Sequence, residues 1–150
     1  MPKRFVFNLE TLLRVRQLRE REAKRKVAAQ RAELARVEQL IEQTLQAVAR
    51  QQHELLDGQQ QTRLDPPTLQ RGRAWIAALR RQLADHHARR AALQDRLRQR
   101  QAELRAARTQ ARIVEKLRER RWAEYVNDRD RRADAAADEL AQQLHGHPPL

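Results

Sequence analysis

One segment interrupts a chain that otherwise favours helices, and it reads Asp57-Gly58-Gln59-Gln60-Gln61-Thr62-Arg63-Leu64-Asp65-Pro66-Pro67-Thr68. Gly58 suits the left-handed conformation that often ends a helix, and Asp65 followed by Pro66 is typical of an N-cap and a first helical position. The flanking sequence is rich in Ala, Leu, Arg, Glu and Gln, which are strong helix formers. These signals predict one domain with four parts: a helix over residues 8–56, a turn at 57–65, a helix over 66–144 and a flexible tail at 145–150.

The composition excludes several classes of protein. The 150 residues include 3 Gly and 5 Pro, too few turn formers for a fold built from strands, and only 3% are aromatic. The absence of Cys excludes disulfides, thiolate zinc sites and a cysteine nucleophile. No HExxH motif or Gly-rich phosphate loop is present, so we expect neither an enzyme nor a bound metal or cofactor. With no signal peptide and no apolar run of about 18 residues, we expect a soluble cytoplasmic protein without a transmembrane segment.

A seven-residue spacing of apolar side chains runs along both predicted helices and indicates a coiled coil. On the first helix the stronger row is Leu13, Glu20, Val27, Leu34, Ile41, Val48 and Leu55. A weaker companion row contains Ala23, Gln30, Val37 and Thr44. The second helix carries Leu69, Ile76, Leu83, Arg90, Leu97, Leu104 and Ala111, with Leu79, His86 and Leu93 among their companions. Because a narrow stripe is buried by a single partner helix, the sequence predicts an all-α, long two-helix antiparallel coiled-coil hairpin.

The predicted turn also sets the pairing between the helices. Residues equidistant from it should face each other, giving the pairs Leu55–Leu69, Val48–Ile76, Ile41–Leu83, Leu34–Arg90, Val27–Leu97, Glu20–Leu104 and Leu13–Ala111. In this register residues 115–144 have no partner, and as a helix they would form a C-terminal overhang of about 45 Å. Trp122 and Tyr125 share one face of that overhang, so we expect another molecule to cover them.

The net charge of +12 is concentrated on the second helix, where residues 69–121 carry 16 basic and 5 acidic side chains. Such a helix suits a solvated face, an acidic protein partner or a polyanion. No compact basic block precedes a zipper, and aromatics are not interleaved with the cations, so we expect no specific nucleic-acid partner. Two alternatives stay open at this point. They are a structural or adaptor coiled coil, including a homodimer of zipped overhangs, and a basic nucleic-acid-binding hairpin.

Both ends of the chain resemble the flagellar export protein FliJ family. The opening Phe5-Val6-Phe7-Asn8-Leu9-Glu10-Thr11-Leu12-Leu13-Arg14-Val15-Arg16 is similar to the family's aromatic and basic start followed by a LETLL-type helix. The closing Val114-Glu115-Lys116-Leu117-Arg118-Glu119-Arg120-Arg121-Trp122-Ala123-Glu124-Tyr125 is similar to its LEKL and EY stretch. The middle of the chain departs from the family by its density of Arg and by the pair Pro66 and Pro67.

The resemblance implies a non-catalytic, stalk-like component of the flagellar type III export apparatus, located in the cytoplasm and peripherally at the inner membrane of the flagellar base. It further implies three partners: the hexameric export ATPase, the membrane export gate protein and export chaperones. The positions that match the ATPase-facing ends are Phe5, Leu9, Leu12, Leu13, Val114, Leu117, Arg118, Arg121, Trp122 and Tyr125. Those that match the gate-facing body are Ile41, Leu45, Val48, Trp75, Leu79 and His86.

Overall fold

A computed structural model of the chain describes residues 3–61 and 65–146. Two α-helices, α1 (Glu10–Gln61) and α2 (Pro66–His145), contain nearly all of these residues, and no strand occurs among them. The two helices pack antiparallel, which confirms the predicted all-α hairpin. Internal contacts divide the chain into unit 1, Met1–Arg21 with Arg105–Leu150, and unit 2, Glu22–Leu104. The single-domain organisation stays a prediction.

The boundary between the helices differs from the expected one. α1 continues through Asp57 and Gly58 to Gln61, and no described glycine has a positive φ, so Gly58 is an interior helical residue rather than a left-handed cap. The glutamines that follow Gly58 are good helix formers and extend the helix. α2 begins at Pro66, where the amide of Leu69 donates to the carbonyl of Asp65 at 3.2 Å. Residues 62–64 of the predicted turn lie outside the described part of the chain.

The outer ends of the helices are also shifted slightly. α1 begins at Glu10, two residues after the predicted start, and the Glu10 amide donates to the carbonyl of Phe7 at 3.2 Å. α2 includes His145, which the sequence placed in the tail, and the Gly146 amide closes the helix on the carbonyl of Gln142 at 2.7 Å. The rest of the predicted tail, residues 147–150, lies outside the described residues.

In unit 2 both apolar rows of α1 are at least half-buried. Val37, Ile41 and Leu93 form a buried cluster, against which Leu34 and Leu83 pack. The companion row, which looked weaker in the sequence, is the more completely buried of the two, through Ala23, Gln30, Val37 and Thr44. The Thr44 hydroxyl donates a hydrogen bond to the carbonyl of Leu40 at 2.7 Å. Gln30 Oε1, in contrast, is buried with no hydrogen-bond partner among the described residues.

The predicted register is wrong by about one helical turn. In unit 2, Leu55 lies against Gly72 instead of Leu69. In unit 1, Leu13 packs in one cluster with Val114 instead of opposing Ala111, and Glu20 pairs with Arg108 at 3.5 Å. The cause is the extra length of α1. Because α1 ends at Gln61, the midpoint between the helices moves towards Pro66, and each residue of α1 meets a residue of α2 further along the chain.

The predicted overhang is correspondingly shorter. The non-helical residues 3–9 continue along α2 beyond the start of α1, and Phe5 reaches both Trp122 and Tyr125. The expectation that these two aromatics have no partner in the chain is therefore wrong. It failed because we ended the pairing where the helix ends, although the preceding segment also carries side chains that pack. Residues 127–146, in contrast, are exposed at every position.

Candidate partner-binding site

Three aromatic rings in unit 1 form a cluster between the N-terminal segment and α2. Phe5 meets Trp122 edge-on, with 5.0 Å between ring centroids and 83° between planes, and it lies 5.5 Å from Tyr125. Trp122 and Tyr125 are 5.6 Å apart, as expected for residues three positions apart on one helical face. Edge-on and tilted pairs at these distances are the arrangements that aromatic quadrupoles favour. Trp122 is still 46% exposed, so the cluster presents an aromatic surface to solvent.

Two arginines of α2 contact aromatic rings of the N-terminal segment. The guanidinium carbon of Arg118 lies 5.7 Å from the centroid of the Phe5 ring, and that of Arg121 lies 5.7 Å from the Phe7 ring. Arg118 Nε also donates to Glu10 Oε2 at 3.1 Å. At exposed positions such cation–π and ion pairs each contribute up to about 1 kcal/mol. Arg118 is exposed and Arg121 is half-buried, so an acidic partner can reach this surface.

The N-terminal segment is further fixed at two points. The Tyr125 hydroxyl donates a hydrogen bond to the backbone carbonyl of Lys3. Phe7 is buried with Leu13 and Val114, and it anchors the segment just before α1 begins. Our sequence analysis did not select Phe7. The available signal was an aromatic residue shortly before a helix start, where it can pack on the first turns of that helix.

The structure places all ten predicted ATPase-facing residues in unit 1. Leu13 and Val114 are buried, and Phe5, Leu9 and Leu117 pack against them. Leu12, Arg118 and Trp122 are exposed, and Arg121 and Tyr125 are half-buried, as are Phe5, Leu9 and Leu117. The chain therefore brings its N-terminal segment and the start of α1 together with residues 114–125 of α2 at one surface, in which the buried members support the others.

The six predicted gate-facing residues are not equally accessible. Ile41 and Leu79 are buried in the packing of the two helices. Val48 and His86 are half-buried, while Leu45 and Trp75 are exposed. A surface contact by this set would depend mainly on the last two, because a residue in the helix interface is not available to a partner without unpacking it.

Trp75 lies beside a groove that is also lined by a buried glycine. The groove is lined by Gln51, Glu54, Leu55, Thr68, Arg71, Gly72 and Trp75. Gly72 is buried, and a Cβ added there would lie 2.5 Å from Leu55 Cδ2. The missing side chain lets the helices approach closely, and Trp75, 53% exposed, forms one wall of the groove. A large exposed aromatic beside a groove is the type of anchor that dominates many protein interfaces.

Within 3–61 and 65–146, no three or more His, Asp or Glu side chains group so as to hold a metal ion. In the same part of the chain, neither helix contains a stretch apolar enough to cross a membrane. The prominent features are instead exposed aromatics flanked by cations, which are typical of protein-binding surfaces.

The fold defines an all-α protein of two long antiparallel helices with exposed aromatic side chains in both units. The model of the family described as Flagellar FliJ protein matches residues 5–149, and the chain belongs to that family. It is therefore a component of the flagellar export apparatus, from a family that is not enzymatic. Neither a search of curated proteins nor a search of solved structures found a match.

Proposed function

We propose that the chain uses the aromatic and basic surface of unit 1 to bind the central opening of the export ATPase ring, and uses unit 2 to contact the membrane export gate and substrate chaperones. In this role the protein is stalk-like and non-catalytic, and it couples ring assembly and nucleotide turnover to gate opening by contact alone. The proposed location is the cytoplasmic face of the inner membrane at the flagellar base.

The observation that carries the ATPase proposal is the convergence of the N-terminal segment and the late part of α2 in unit 1. Residues from the start of the chain and from α2, each part of a motif shared with the family, meet around Phe5 and Trp122. The adjoining cations Arg118 and Arg121 supply the charge for acidic loops of a ring subunit. A ring offers one asymmetric protein several near-equivalent contacts, so we expect modest affinity with a strong dependence on charge.

The gate proposal is supported by the exposed Trp75 and by Leu45 in unit 2. Trp75 has the groove beside Gly72 on one side and Arg71 close by. This arrangement provides an apolar anchor and a cation without disturbing the buried residues of the predicted set.

A matched pair of variants tests the two surfaces against each other. Trp122→Ala with Arg118→Glu should abolish most of the stimulation of the export ATPase and leave gate binding unchanged. Trp75→Ala with Arg71→Glu removes the same two side-chain types from unit 2, and should weaken gate binding and leave ATPase stimulation intact. Circular dichroism should show equal helicity for both. Unchanged stimulation by the first variant would contradict the proposal for unit 1, and unchanged gate binding by the second would contradict that for unit 2.

A further inference from the structure

Unit 1 carries two surface features that complement each other and that the contacts within the chain leave open. One is a basic groove between the N-terminal segment and α2, and the other is the acidic end of α2. We propose that two copies of the chain associate antiparallel through this part of α2, so that residues 134–144 of each copy occupy the basic groove of the other.

The groove is lined by both apolar and cationic residues. Phe5, Val6 and Tyr125 supply apolar surface, and Val6 is strongly exposed. Five cations line the groove, two from the N-terminal segment and three from α2, against the two acids Glu124 and Asp128. Its ligand should therefore be acidic and should carry apolar side chains on one face.

The end of α2 has that chemistry. Residues 133–146 contain the three acids Asp134, Asp138 and Glu139 and no Lys or Arg. Leu140 and Leu144 are 62% and 72% exposed, and their spacing of four places them on one face of the helix. A helix end that packs against nothing is only marginally stable by itself, so burial of these leucines would also stabilise it.

The dimensions match as well. The part of α2 that lines the groove extends from Arg121 to Ala133, a rise of about 18 Å, and residues 134–144 rise by about 15 Å. The groove residues and residues 134–144 follow each other along α2. When two copies of α2 lie antiparallel, residues 134–144 of each copy therefore reach the groove of the other. This is an isologous interface, in which the same surface of each copy serves both roles.

The charge pattern favours a second copy over an unrelated partner, because this chain carries both the acidic helix and the basic groove. The interface is short and buries a small area, so we expect a dissociation constant on the order of 10–100 µM. The groove shares Phe5, Arg121 and Tyr125 with the proposed ATPase surface, so a dimer would cover that surface. The proposal does not depend on ATPase binding, since it concerns self-association alone.

Sedimentation velocity of the full chain over a series of concentrations tests the proposal. The wild-type protein should change from monomer to dimer as its concentration rises through the micromolar range. Dimers should form at a lower protein concentration in low salt than in high salt, because salt screens the charges. Leu140→Gln with Leu144→Gln should raise the dissociation constant by about tenfold or more. Leu18→Gln with Leu56→Gln makes the same change at two exposed leucines elsewhere and should leave the constant unchanged.

A charge exchange tests the pairing of groove with helix end. Arg129→Glu with Arg132→Glu makes the groove acidic, and Asp138→Arg with Glu139→Arg makes the helix end basic. Each variant alone should be monomeric, because like charges then meet at both contacts. An equimolar mixture should form a heterodimer, because both contacts in it join opposite charges.

The direction of the helices has a separate readout. The chain has no Cys, so single cysteines can be introduced at 126 and 141, which face each other in this antiparallel pairing. A mixture of Val126→Cys and Ala141→Cys should form a mixed disulfide much faster than either variant forms its own. A wild-type protein that stays monomeric throughout the series would overturn the proposal, as would a dimer insensitive to the leucine variants or charge variants that fail to recover on mixing.

Discussion

The Phe5 ring stands edge-on against the Trp122 indole, 5.0 Å between centroids and 83° between planes. This contact joins the segment before α1 to the late part of α2. The aromatic surface of unit 1 is therefore formed by two parts of the chain that are far apart in sequence. A partner that recognises this surface therefore recognises the closed arrangement of unit 1 rather than a single helix.

The first prediction concerns the contribution of Phe5 to stability. Phe5→Ala should destabilise unit 1 by about 1–2 kcal/mol, because a half-buried ring and its aromatic contacts are lost. The Trp122 emission should move to longer wavelength as the indole becomes more exposed. Urea unfolding in a Trp75→Phe background measures both effects, since Trp122 is then the one remaining tryptophan. Val6→Ala is the control and should change stability by less than about 0.5 kcal/mol. Equal losses for the two variants would argue against the packing role of Phe5.

The second prediction separates the hydroxyl of Tyr125 from its ring. Tyr125→Phe keeps the contact with Phe5 and removes the hydrogen bond to the Lys3 carbonyl. We expect a loss of about 1 kcal/mol. Hydrogen exchange should become faster in residues 3–9 and stay unchanged in unit 2. Exchange rates in residues 3–9 that match the wild type would show that this bond does not hold the segment.

The third prediction concerns the buried amide of Gln30. Its Oε1 has no partner within the described residues, so this oxygen is desolvated without compensation. Gln30→Leu conserves much of the volume and should stabilise the protein by about 1–2 kcal/mol. Gln94→Leu makes the same change at an exposed position of α2 and should have little effect. Thermal unfolding compares them, and a destabilised Gln30→Leu variant would contradict this account of unit 2.

The fourth prediction uses the close approach of Gly72 and Leu55. Gly72→Ala adds a Cβ 2.5 Å from Leu55 Cδ2, so the leucine must move and part of the helix-propensity gain is lost. In a Leu55→Ala background that obstacle is removed, and Gly72→Ala should stabilise the protein by about 1 kcal/mol. A double-mutant cycle in urea measures the coupling between the two sites. Additive effects would show that the helices do not approach closely here.

The sequence predicted the two helices and their antiparallel pairing better than it predicted which residues face each other. The seven-residue rows identified Val27, Ile41 and Leu93 as buried, because heptad spacing depends only on helix geometry. The register depended on where α1 stops, and Gly58 was a poor guide because a glycine signals a cap only when the helix ends beside it. The three to four residues of error follow from that one boundary.

The candidate site could be predicted only in part. Trp122 and Tyr125 share a face through local spacing, and the sequence showed that directly. Their contact with Phe5 could not be found in the same way, because residues 3–9 are not helical and follow no period. The pairing of these residues depends on tertiary packing between distant parts of the chain. Burial of Ile41 and Leu79 was likewise foreseen from the rows, and it limits the proposed gate surface to their exposed neighbours.

Site-specific photo-cross-linking within the assembled export apparatus tests the proposed division of binding surfaces most directly. A photo-reactive residue placed at position 122 should cross-link to the export ATPase, and one placed at position 75 should cross-link to the export gate protein. A third placed at position 98, an exposed arginine of unit 2, serves as the background control. Cross-links to the ATPase from position 75 and none from position 122 would contradict the account.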